Sequence, residues 1–231
     1  MAIYHFSVRI VSRGKGQSAV GVAARRAAER LYDRRCGLHV RPDRGSRPTF
    51  STIMLPADAP AWMSGREELW NAVEAAENRL DAQLARELEL ALPIELENEQ
   101  AIALAREFVQ QEFIQHGMIA DLAIRLGGHN PYANAMLTMR EVTAAGFGPK
   151  VREWNQASLL REWREHWAAL ANEYLGRAGH EVRVDHRRKR DQAEAVHLGK
   201  AASAMRQRGL VHERLRRLEA MQSGQQAKGR A

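Results

Sequence analysis

His129-Asn130-Pro131-Tyr132-Ala133-Asn134-Ala135-Met136-Leu137-Thr138-Met139-Arg140 is the stretch that decides how the chain is read. Asn-Pro is a turn signal, and a strand-like run follows it at once. In a strand, Tyr132, Asn134, Met136 and Thr138 share one face, and Ala133, Ala135, Leu137 and Met139 share the other. The second face is wholly apolar and belongs in a core. The first opens with two polar side chains at i and i+2, a spacing that presents two ligands to one metal ion. Here the pair is Tyr and Asn.

Before it, Met118 to Leu126 reads as a strand, and Gly127-Gly128-His129-Asn130-Pro131 turns it into the opening run. The two strands are therefore antiparallel, with Arg125 near Tyr132 or Asn134. Further back, Leu88-Glu89-Leu90-Ala91-Leu92-Pro93 alternates, with the leucines on one face and Glu87, Glu89 and Ala91 on the other. Carboxylates in line along a strand serve as acid/base groups or metal ligands, and more often as a solvated face. A helix from Glu99 to His116, capped by Asn98 and ended by Gly117, lies between. Ile3 to Val11 is a further strand, with Tyr4, Phe6, Val8 and Ile10 inward. His5 on its other face reads as a hydrogen-bonded structural residue.

The segment Ser12-Arg13-Gly14-Lys15-Gly16-Gln17-Ser18 is a basic, glycine-rich loop feeding a helix from Ala19 to about Tyr32, with Ser18 as N-cap. Free N–H groups at such a helix start suit a phosphate. The P-loop spacing is absent, so no nucleoside triphosphate site is read. Phe50 to Leu55 is a short strand and Trp62 to Asn78 a helix with Leu69, Trp70 and Val73 toward a core. Thr143 to Pro149 is a turn-rich connection. A helix starts at Asn155 or Ser158 and carries Leu160, Trp163, Trp167, Leu170 and Tyr174 on one stripe. Glu181 to His186 is strand-like. From Arg187 the text is basic and polar, with a helix over Ala201 to Leu218 and a polar end.

The fold class is therefore α/β (α+β): about five strands in a mostly antiparallel sheet flanked by helices over residues 1–186, then a basic helical tail over 187–231. The net charge is +7, unevenly spread. Residues 1–50 hold 11 Lys/Arg against 3 Asp/Glu, and residues 181–231 hold 13 against 6. Two basic ends around an acidic middle point to a polyanion, nucleic acid first. The one cysteine, Cys36, excludes an internal disulfide framework and suits a reducing cytoplasm. No apolar run is long enough to span a membrane, and nothing resembles a signal peptide.

Several segments, in order and at similar spacing, resemble the MobA/MobL relaxases, plasmid-mobilisation enzymes of the MobQ type within the HUH endonucleases. They are Ala2 to Val8, Ser12 to Val20, Leu31-Tyr32-Asp33, Ala85 to Pro93, Asn130-Pro131 with Met136 to Arg140, Gly146-Phe147-Gly148 with Arg152 to Asn155, and Val184 to Arg187. The resemblance implies an antiparallel sheet flanked by helices, in a bacterial cytoplasmic protein. It implies a helix tyrosine that attacks a phosphodiester, three histidines holding a divalent metal (Mg or Mn), and a carboxylate at Glu87 or Glu89 that assists.

At each of those four positions this chain differs. Arg25 stands at the nucleophile position. Arg125, Tyr132 and Asn134 stand at the metal-ligand positions, so no metal or other cofactor is expected. Arginine stays protonated and does not attack phosphorus. A fixed cation opposes metal entry, and Asn and neutral Tyr are poor transition-metal ligands. His129 alone does not rebuild a three-histidine site. Tyr32, placed about 10 Å further along the same helix, matches the family's Leu-Tyr-Asp text and reads as structural.

The expectation is a catalytically degenerate relaxase-like protein that binds nucleic acid without nicking it. Arg25 and Arg125 would converge as a phosphate clamp, with Arg13, Lys15, Arg26, Tyr132 and Asn134 also in the nucleic-acid site. Single-stranded or hairpin DNA is the first candidate ligand and RNA the second. The alternatives are an active relaxase using other residues and a subunit that docks on a protein partner through its C-terminal basic helices.

Overall fold

The computed structural model describes residues 4–42 and 47–187. The tail expected from residue 187, with its helix over Ala201 to Leu218, lies outside the described residues apart from Arg187. The described elements are β1 (Phe6–Ser12), α1 (Ala19–Ala27), β2 (Leu31–Asp33), β3 (Leu38–Val40), β4 (Phe50–Met54), α2 (Arg66–Ala75) and β5 (Gln83–Ala91). They continue with α3 (Asn98–Val109), β6 (Ala120–Arg125), β7 (Tyr132–Leu137), β8 (Arg140–Thr143), β9 (Gly146–Lys150) and α4 (Ala157–Arg177).

Five strands form one fully antiparallel sheet in the order β1-β5-β7-β6-β4. The alternation read along β7 and β5 places this sheet between two helical layers. Leu88, Leu90, Ala133, Ala135, Leu137, Leu122 and Ile124 share one face. They pack with Leu104, Phe108, Trp163 and Trp167, so α3 and α4 cover that side. Phe108 meets Trp167 edge-on at 5.1 Å between ring centroids, and Phe113 meets Trp163 at the same distance. Such edge contacts add about 0.5–1.5 kcal/mol each beyond simple burial. On the opposite face, Val11, Ala85, Met136 and the adjoining Ile119 pack with Val20, Ala23, Ala24, Leu69, Trp70 and Val73 of α1 and α2. The central strand β7 is thus buried on both faces, including Asn134 at 1% exposure. Only one face of it had been expected in a core.

Two buried ion pairs fix the helices on this second face. Asp121 on β6 accepts from Arg66 and from the Trp70 indole N–H, while Arg66 also reaches Ser51 and Glu29. Burial pushes the Asp121 carboxyl up, against these donors. Glu74, 3% exposed, accepts from Arg13 at 2.7 Å and from the Ala19 N–H at 2.7 Å.

The structure corrects several element boundaries. The helix expected to reach Tyr32 ends at Ala27, because Ala28 takes the left-handed conformation (φ 55°) and its N–H closes on the Ala24 carbonyl. Tyr32 therefore lies on β2, paired with β3, and not on α1. This short ribbon is tied to α2, where Glu67 accepts from the Tyr32 N–H and Asn71 donates to the Tyr32 carbonyl. The stretch Thr143 to Pro149, expected as a connection, is mostly the β8–β9 hairpin. Arg140 holds that hairpin to the end of α2 through Glu77 and the Ala76 and Gly148 carbonyls. The helix expected over Trp62 to Asn78 divides into a 3-10 turn (Ala61–Ser64) and α2. The helix expected to run to His116 stops at Val109 and continues as a π-helical turn, Gln110–Ile114. Its cap is Glu97, not Asn98, in a box with Gln100. Glu181 to His186 forms no strand.

Candidate nucleic-acid interface

Helices α1 and α2 leave part of their sheet face open along β1 and β5. Register places Ser7 beside Glu89 and Glu89 beside Asn134, while Arg9 lies beside Glu87. At one end, a cavity of about 420 Å³ opens between β1 and α1. Its lining includes Arg9, Lys15, Arg25 and Arg26, with Glu87 the one carboxylate. A narrow crease between Ser7, Arg9, Glu87 and Glu89 follows. Beyond it a second cavity of about 360 Å³ carries Glu89, His5, His129 and Tyr132. The first cavity adjoins the crease at Arg9 and Glu87 and the second adjoins it at Glu89, so the two lie in series as an interrupted groove along the sheet.

Of the expected residues, the structure brings Lys15, Arg25 and Arg26 together. Arg25 is exposed, and its guanidinium folds back over Gly21, where a side-chain carbon would lie 3.7 Å from Nη1. Arg26 pairs with Glu87, which anchors the end of α1 to β5. Glu87 is thereby engaged in an ion pair rather than presented on a solvated strand face. Glu89 is within 3.5 Å of His5 Nε2 and accepts from Asn134 Nδ2 at 3.3 Å. His5, expected to be a hydrogen-bonded structural residue, does lie against Glu89, with a half-exposed ring on the groove wall.

Three expected members stand elsewhere. Arg13 donates to Glu74 and to the carbonyls of Glu74, Glu77 and Arg79, beneath the end of α2. Its side chain is 9% exposed, so it serves the fold rather than the groove. Arg125 is turned onto the backbone of α1. Its Nη2 donates to the Arg26 carbonyl at 2.8 Å and reaches the Arg25 carbonyl at 3.5 Å, so it closes the C-terminal end of α1. A cation at the negative end of a helix is favourable, and a guanidinium satisfies carbonyls that have no partner within the helix. Asn134 is buried beside Glu89, with its Oδ1 unpartnered. The phosphate site expected at the start of α1 is also filled from within. Ser18 accepts from the Gly21 N–H, and Glu74 takes the Ala19 N–H.

The donor set at Arg125, Tyr132 and Asn134 does not fit a divalent cation. The guanidinium carbon of Arg125 lies 5.8 Å from the Tyr132 ring centroid, so a permanent cation stands beside two side chains that are poor metal ligands. Among the described residues, no group of three His, Cys, Asp or Glu side chains is placed to hold a metal. Sequence reasoning missed Arg9 and Glu74 as partners of the site. Arg9 was legible as the polar face of β1. Nothing in the text of α2 marked Glu74.

The comparisons with known proteins agree with this architecture. The MobA/MobL family matches residues 17–208. A probable conjugal transfer protein TraA of Sinorhizobium fredii is 34% identical over 96% of this chain and 23% of its own length. Mobilization protein A of Escherichia coli is 33% identical over 93% of this chain and 32% of its own. The chain thus spans only a quarter to a third of these relatives. A solved structure described as the molecular basis of vancomycin resistance transfer in Staphylococcus aureus superposes with a TM-score of 0.75. It is 34% identical and covers 81% of this chain and 100% of its own. The conjugative relaxase TrwC, solved with oriT DNA and metal, shares the fold alone, with a TM-score of 0.53 at 10% identity over 90% of this chain and 85% of its own. From the matched span, the identities and the shared five-stranded sheet, the chain belongs to the MobA/MobL family and has the relaxase fold.

Proposed function

We propose that this domain binds single-stranded or hairpin DNA along the β1–β5 groove and does not nick it. The observation that carries the reading is the charge of the groove mouth beside an unsuitable metal position. Four cationic side chains surround one cavity, while the neighbouring positions that would ligate a metal carry Arg, Tyr and Asn. Backbone phosphates are the partner such a cavity attracts, and Arg25 and Lys15 supply the contacts. The kinship with conjugal-transfer and mobilisation proteins supports a nucleic-acid partner. TrwC, alike in fold alone, is described in complex with a DNA comprising a recognition hairpin.

The test is fluorescence anisotropy with single-stranded, hairpin and duplex DNA and with RNA, at several salt concentrations. It is paired with a nicking assay in Mg²⁺ or Mn²⁺. The expected result is salt-dependent binding of the unpaired or hairpin DNA, with the strand left whole. A covalent protein–DNA adduct would overturn the reading, as would equal binding at low and high salt. Tighter binding of RNA than of DNA would move the ligand class.

A further inference from the structure

The second cavity of the groove differs in chemistry from the cationic one. Ala91, Leu92, Ile94 and Pro131 give it apolar walls, and Ile94 is 51% exposed at its rim. Tyr132 and the two histidines add rings, and Glu89 is its one carboxylate. At about 360 Å³ it lies near the lower end of the range for small-ligand pockets. No arginine or lysine lines it, so it is built for something other than phosphate.

We propose that this cavity takes one unpaired guanine base of the bound strand, read by Glu89. The proposal rests on the groove being a strand-binding surface and names what the surface would recognise. An ionised carboxylate only accepts hydrogen bonds. The pairing edge of guanine carries two neighbouring donors, N1–H and the N2 amino group, which match two carboxylate oxygens. Adenine and cytosine each set one donor amine beside an acceptor nitrogen. Thymine sets one N–H between two carbonyls. Glu89 is held for this task at both oxygens, by Asn134 at 3.3 Å and by His5 at 3.5 Å. An ionised carboxylate has about four lone-pair sites, so these two contacts leave acceptor capacity for a ligand. Asn134 is itself 1% exposed and cannot turn away to solvent. The aromatic walls suit a base face, because stacking on rings holds unpaired bases in nucleic-acid sites.

The experiment uses oligothymidylates of about a dozen nucleotides carrying one central guanine, hypoxanthine, adenine or cytosine, with plain oligothymidylate and dGMP as controls. Guanine should strengthen binding roughly tenfold over adenine or cytosine, the scale of one good bidentate contact. Hypoxanthine, which lacks the N2 amine, should fall between. Glu89→Gln should bring the guanine-to-adenine ratio near one. Ile94→Trp should do the same from an exposed position by filling the cavity. Arg25→Ala should weaken all the oligonucleotides while keeping the ratio. Equal affinity for all the substituted strands overturns the guanine pocket and leaves the groove reading standing. A guanine preference that survives Glu89→Gln also overturns it. Binding of free dGMP as tight as that of the guanine strand would replace it with a mononucleotide site. No binding of any strand overturns pocket and groove together.

Discussion

Arg125 and Tyr132 face each other across the β6–β7 pair, and the guanidinium covers the phenol ring while closing the end of α1. One side chain thus joins three elements, β6, β7 and α1. Truncating it leaves the Arg26 carbonyl without that donor. Arg125→Ala should cost about 1–3 kcal/mol of stability, the scale of a lost charged hydrogen bond. A lowered urea midpoint with an unaltered salt slope for DNA binding is the expected result. A changed slope with unaltered stability would return Arg125 to the ligand.

Lys15 and Arg25 should behave in the opposite way. Both are exposed on the cationic cavity, and among the described residues the Arg25 side chain forms no ion pair. Replacing either by Ala should leave the thermal midpoint near that of the parent. Each replacement should reduce the slope of log affinity against log salt by about 0.7, the loss of one single-strand phosphate contact. Titrations at three or more salt concentrations measure this directly.

Glu74 ties Arg13 to the start of α1 from a buried position. Glu74→Gln keeps the shape but leaves the Arg13 guanidinium, 9% exposed, without its counter-charge. Breaking one partner of such a pair costs about 3–5 kcal/mol. A fall of that size in denaturant unfolding is expected. A fall under about 1 kcal/mol would mean that the carbonyls around Arg13 suffice alone.

The alkaline limit of stability should depend on two phenols. Burial pushes Tyr4 up to about 12. Burial, and then the hydrogen bond to Glu107, pushes Tyr174 up to about 12 as well. A raised folded-state pKa holds the proton on, so the stability involved is full below the ordinary tyrosine value near 10 and is lost as pH rises toward 12. The drop in urea midpoint between pH 9 and pH 11 should therefore be smaller in Tyr4→Phe and in Tyr174→Phe than in the parent.

Much of the fold was legible because its strands and helices keep their periods. The leucines of β5 and the alanines of β7 announced a common face, and the Trp163–Trp167 stripe announced a helix packed on a core. The end of α1 was hidden, because it rests on an alanine in a conformation usually left to glycine. Leu31-Tyr32-Asp33 then continues the helical spacing, although it pairs as a strand. The β8–β9 hairpin was hidden because Gly146, Gly148 and Pro149 read as turn residues. At the site, the cluster of Lys15, Arg25 and Arg26 followed from the loop-helix text. The roles of Arg13 and Arg125 did not, since charge alone does not tell a groove cation from a buried one. Which it is depends on carbonyls supplied by α2 and by α1 itself.

The two fastenings of α1, Glu74 at its start and Arg125 at its end, have a mechanical effect on the groove. A wall held at both ends does not yield to its guest, so adaptation falls on the incoming chain. Flexible unpaired nucleotides can bend into such a channel at little cost. If the groove holds a strand as proposed, stiff double helix would have to be distorted to enter it, and that penalty should favour an unpaired strand before any base is read.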